Sequence, residues 1–109
     1  MHNNIKALWL DELIEINRLG DRVKYTPHRL SNFEGGSAWN WLCRAHQRTA
    51  DTWGFRLEAL GFSYRGFAYY PPPEVLRWAG LWGRDVSSAI IGLQNCKTLR
   101  EAITFVASL

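Results

Sequence analysis

The sequence predicts a mainly α fold: four to five helices around one core, with one short β-hairpin at about residues 61–70. Three observations point there. Apolar residues recur at helical spacing early, midway and late in the chain; cap and stop residues bracket those runs; and the one aromatic, β-favouring stretch ends in three consecutive prolines.

The first helix is carried by Ile5, Leu8, Trp9, Leu13, Ile16 and Leu19, with Asn4 as its cap and Gly20 as its stop. Leu10 and Ile14 widen the stripe, which predicts a helix that is well buried or paired with a partner. Residues 21–36 read as irregular, with a short strand expected from Val23 to Thr26. A second helix opens at Ser37, a good N-cap residue, and its apolar face runs Ala38, Leu42, Ala45, Thr49, Trp53, Leu57, Leu60. Gly54 interrupts that row, so one long helix or two shorter ones broken between residues 49 and 54 satisfy it.

The aromatic residues from Gly61 to Tyr70 flank an Arg65-Gly66 turn and predict the hairpin. Pro71, Pro72 and Pro73 close it, because proline cannot donate to a ladder, and Pro73 at a first helical position starts a third helix expected through Trp82. Residues 86–94 fit a helix better than a buried strand. The last helix starts at the capping box Thr98-Leu-Arg-Glu101 and continues through Ala102, Ile103, Phe105 and Val106.

A length of 109 residues, 47% hydrophobic and 21% charged, is that of a single globular domain. No apolar run approaches the roughly 18 residues of a membrane span. The first residues lack a basic leader and a cleavage site, so the expected location is cytoplasmic and no membrane partner is expected. There Cys43 and Cys96 would remain reduced, as small buried hydrophobes.

The net charge of +3 is unevenly spread: residues 1–21 carry two basic and four acidic groups, and residues 22–65 carry seven against three. An anionic partner would meet the middle segment. Arginine outnumbers lysine ten to three, which fits an interface rich in planar contacts and fits arginine-favouring codon usage equally well.

Catalytic templates fail. The chain has no Gly-x-Ser-x-Gly elbow, no His-Glu-x-x-His, no Walker loop and no Gly-x-Gly-x-x-Gly, so no enzyme and no cofactor is expected. Gly35-Gly36-Ser37 precedes a helix start, where N–H groups attract phosphate, but without a lysine or an evident preceding strand it reads as a flexible joint plus cap. Cys43 and His46 stand three apart without a second ligand pair, so no metal is expected and His46 reads as a packing histidine. Arg65 to Tyr69 match the opening of the RNA-recognition octamer, but the match ends at Tyr70.

Six tryptophans, four tyrosines and five phenylalanines exceed what a small core obviously needs. On a continuous helix Trp41 falls opposite the apolar row, beside Arg44 and Arg48, and Trp78 and Trp82 form a ridge four residues apart. Tryptophan, tyrosine and arginine dominate binding hot spots. The expected function is therefore non-enzymatic docking on a protein partner, which includes a second copy of this chain. The residues expected to carry it are Trp41, Arg44, Arg48, Arg65, Tyr69, Trp78 and Trp82.

An alternative comes from residues 37–70. A basic helical segment followed by Leu57-Glu-Ala-Leu-Gly-Phe-Ser-Tyr-Arg-Gly-Phe-Ala-Tyr-Tyr resembles the recognition helix and wing of winged helix-turn-helix DNA-binding proteins. The resemblance implies duplex contacts from Arg44, Arg48 and Arg56, with Arg65 at the wing tip.

Overall fold

A computed structural model describes residues 1–20, 24–27, 29–30, 35–50, 69–81 and 83–109. Among them five helices and one pair of very short strands follow one another as α1 (Asn3–Leu19), β1 (Lys24–Tyr25), β2 (Gly35–Gly36), α2 (Ala38–Ala50), α3 (Pro73–Ala79), α4 (Arg84–Gln94) and α5 (Leu99–Ser108). The mainly α architecture is as expected.

α1 buries Ile5, Trp9, Leu13 and Ile16, one row at helical spacing, against α2 and α5. Its buried face is narrower than the sequence suggests: Leu8, Ile14 and Leu19 stay exposed. The helix begins at Asn3 behind His2 rather than behind Asn4, and it stops at Gly20 as expected. The His2 N–H donates to the Ala79 carbonyl at 3.0 Å, tying the start of the chain to the end of α3.

The expected strand near residues 23–26 forms at Lys24–Tyr25, but its partner is Gly35–Gly36, in parallel register with Lys24 opposite Gly35 and Tyr25 opposite Gly36. The glycine pair is therefore a strand that feeds α2 and not a flexible joint. Ser37 follows, its N–H donating to the Arg29 carbonyl at 2.8 Å. Its hydroxyl is buried and has no hydrogen-bond partner, so it does not make the side-chain cap expected of it.

α2 lies at the centre. α1, α3 and β2 all pack on it, and every residue from Ala38 to His46 is buried. Trp9 and Trp39 stack with ring centroids 5.2 Å apart, and the Trp9 Nε1–H donates to the Ala38 carbonyl at 2.8 Å. Residues 51–68 lie outside the described residues, and with them the expected break after residue 49 and the body of the expected hairpin. Tyr69 and Tyr70 form a bend ahead of the prolines.

Pro73 opens α3, as the sequence predicts. The helix ends at Ala79 and not at Trp82, because Gly80 adopts the left-handed conformation (φ 76°, ψ 24°) and its N–H turns back to the Arg77 and Leu76 carbonyls. Residues 86–94 are helical, within α4, and the Tyr25 hydroxyl donates to the Cys96 carbonyl at 3.0 Å just beyond it. α5 is capped by Thr98, whose hydroxyl accepts from the Glu101 N–H at 3.2 Å, while the Glu101 carboxylate accepts from the Lys97 N–H. One contiguous apolar cluster joins these elements, from Ile5 in α1 through Leu42 in α2 to Val106 in α5.

Candidate functional site

Trp41, Arg44 and Arg48 recur at i, i+3 and i+7, so one row along α2 carries them, as the spacing predicts. The row does not face solvent, however. Trp41 is fully buried and Arg44 is 9% exposed, which removes both from the expected docking surface. The reason is architectural. A helix packed on one side turns its polar row outward, whereas α2 has neighbours on several sides and its polar row is enclosed.

The enclosed charge is met by α1. The Glu12 carboxylate, largely buried, pairs with the guanidinium of the exposed Arg48 and interacts with Arg44. Burial raises the Glu12 carboxyl above its ordinary range, and the two nearby guanidiniums only partly oppose this. Burial likewise lowers Arg44 from its usual value, with Glu12 opposing the shift and Arg48 adding to it. Glu12 was not among the residues singled out from the sequence. The signal for it was present, because it stands four residues after Leu8 and four before Ile16, on the flank of the buried row of α1.

Of the other residues expected to bind, Trp78 is half-buried and packs edge-on against His46, with ring centroids 5.1 Å apart and planes at 74°. His46 is accordingly a packing histidine. The Trp78–Trp82 ridge is not a helical one, since α3 ends between the two; Trp82, Arg56 and Arg65 lie outside the described residues. Tyr69 is 58% exposed, as expected of a docking residue. Beside it, the Tyr70 hydroxyl accepts from Gln94 Nε2 at 2.7 Å, and one turn earlier on α4 Ile91 is 60% exposed. The bond ties Tyr70 to α4 one turn from the exposed Ile91, and Tyr69 precedes Tyr70 in the chain. Ile91 was hidden in the sequence because residues 86–94 fit helix and strand patterns alike.

Neither cysteine is poised for chemistry. Cys43 is buried and its thiol is pushed well above its usual range by desolvation. Cys96 donates from Sγ to the Gly92 carbonyl at 3.2 Å, and burial, aided by Glu101, raises its thiol as well. Among the described residues no group of three or more His, Cys, Asp or Glu side chains converges as a metal site would require, and no helix is long and apolar enough to cross a membrane. The chain matches no protein-family model, no curated protein and no solved structure.

Proposed function

We propose that this chain is a non-enzymatic cytoplasmic binding protein, an adaptor, inhibitor or regulator, that docks on a protein partner through Tyr69, Tyr70 and Ile91. The observation that supports the reading is the exposure of Tyr69 and Ile91, which belong to two segments linked by the Tyr70–Gln94 hydrogen bond. A tyrosine ring offers a large rigid area to a partner while its hydroxyl keeps a polar contact, and the bond to Gln94 holds one of the two rings in place before binding. Arg48, exposed but already paired with Glu12, is a peripheral contributor in this reading.

Duplex recognition by a winged-helix-like unit has less support. Of its four arginines, Arg44 is buried, Arg48 is engaged by Glu12, and Arg56 and Arg65 lie outside the described residues. Affinity capture from the native host, with and without nuclease, tests the two against each other. Wild-type protein should retain a nuclease-resistant partner that the double variant Tyr69→Ala, Ile91→Ser loses, while the stability of the variant stays within about 0.5 kcal/mol of wild type. Identical capture by both proteins, or capture abolished by nuclease, would overturn the proposal.

A further inference from the structure

We propose that the outer face of α5 is a further docking groove, for an acidic amphipathic segment of a protein partner. A groove of about 530 Å³ lies on that face, lined by Arg100, Glu101, Thr104, Phe105 and Ser108. Arg100, Thr104 and Ser108 recur at i, i+4 and i+8, with Glu101 and Phe105 in the next row, on the side away from the buried Ala102 and Val106.

The hydrogen bonds of α5 leave this face largely apolar. The Thr104 hydroxyl donates to the Arg100 carbonyl at 3.2 Å and the Ser108 hydroxyl to the Phe105 carbonyl at 2.6 Å, so both are turned back onto their own helix. The Glu101 carboxylate accepts from the Lys97 N–H at 3.3 Å. The Phe105 ring is seated on α4, where a Cβ at Gly92 would overlap it, and stands in the groove as a held aromatic wall. Charge is confined to the start of the helix. Lys97 and Arg100 are exposed, and among the described residues neither side chain makes a hydrogen bond or an ion pair. Past Glu101 the lining carries no charge. Two cations against one acid at one end, and an apolar wall beyond, complement a segment that is acidic in one turn and apolar in the next. α5 alone supplies the lining, so the groove is open along its length. A small molecule there would stay largely in water, whereas a helix laid along α5 would cover it.

The test titrates the full chain with two synthetic helical peptides and follows its backbone amide resonances. The peptides share one alanine–leucine body and differ only in a first turn of glutamates or of lysines. The glutamate peptide should shift the Arg100, Thr104 and Phe105 signals saturably, and the lysine peptide should not. Arg100→Glu should weaken the glutamate peptide about tenfold, the effect of about 1.4 kcal/mol, and admit the lysine peptide. This variant should fold, because Arg100 is exposed and an acid in the first turn suits the helix dipole. No saturable shift on α5, equal shifts from the two peptides, or a response that Arg100→Glu leaves unchanged would overturn the proposal.

Discussion

α2 and α5, helices of 13 and 10 residues, handle their polar groups in opposite ways. α5 keeps one side wet: Ala102 and Val106 are buried, while Arg100, Glu101, Thr104 and Ser108 are exposed. Its first turn is closed by the Thr98 hydroxyl. α2 is enclosed along its first nine residues, and the polar row opposite its apolar face is taken inside with the rest. Desolvating a guanidinium such as Arg44 costs several kcal/mol unless an opposite charge meets it, and Glu12 supplies that charge from another helix. α5 is thus held mainly by local signals and one apolar stripe, α2 by what surrounds it.

The largest expected effect lies on α2. Trp41→Ala removes a fully buried indole and should cost about 3–5 kcal/mol in urea unfolding, the loss of a large core side chain. A loss under 1 kcal/mol would return Trp41 to the surface and collapse the contrast with α5.

The next effect tests how α5 meets α4. In an ordinary exposed helix, replacing glycine by alanine is favourable by about 1 kcal/mol. At Gly92 the sign should reverse, because a Cβ there would overlap the Phe105 ring. Gly92→Ala should cost about 1–3 kcal/mol as overpacking, and Phe105→Leu should recover part of it. Stabilisation by Gly92→Ala alone would show that the ring is not seated on α4.

Thr98→Ala should cost about 1 kcal/mol by removing the cap of α5. The corresponding change at the start of α2, Ser37→Ala, should cost less or stabilise, since its hydroxyl caps nothing. Equal losses at the two positions would mean that Ser37 caps α2 after all.

These contrasts also explain what could be read from the sequence. The Thr98–Glu101 capping box and the single stripe of α5 are local, and the helix appears where they place it. On α2 the apolar row Ala38, Leu42, Ala45 is buried as periodicity predicts. Periodicity, however, separates polar from apolar and not inside from outside, so it places Trp41 and Arg44 on the surface although both are buried. The pairing of Lys24–Tyr25 with Gly35–Gly36 is non-local, and two glycines carry no β preference that would announce it. The proposed docking surface was half legible: Tyr69 stood out as an aromatic residue beside the prolines, whereas Ile91 depends on the orientation of α4.

The smallest expected effect is a pH dependence at the α1–α2 contact. Burial holds the Glu12 carboxyl above its usual value of 4.5 when the chain is folded. As pH rises from about 4.5 toward the folded-state value, the unfolded chain has already released this proton and the folded protein has not. Stability from Glu12 therefore falls with rising pH over that window and is greatest below it. Glu12→Gln should flatten this segment of a stability-versus-pH profile, and an unaltered slope would assign it to other groups.

The enclosure of α2 is tested most directly by hydrogen exchange at the Trp41 indole. Its Nε1–H is buried without a partner, so its protection reports exclusion of water and not a hydrogen bond. The predicted result is slow exchange that is governed by opening of the fold and accompanies protection of the Trp9 indole, which is bonded to Ala38. Exchange of Trp41 at the rate of a free indole, while Trp9 stays protected, would contradict an enclosed α2 and put its polar row back on the surface.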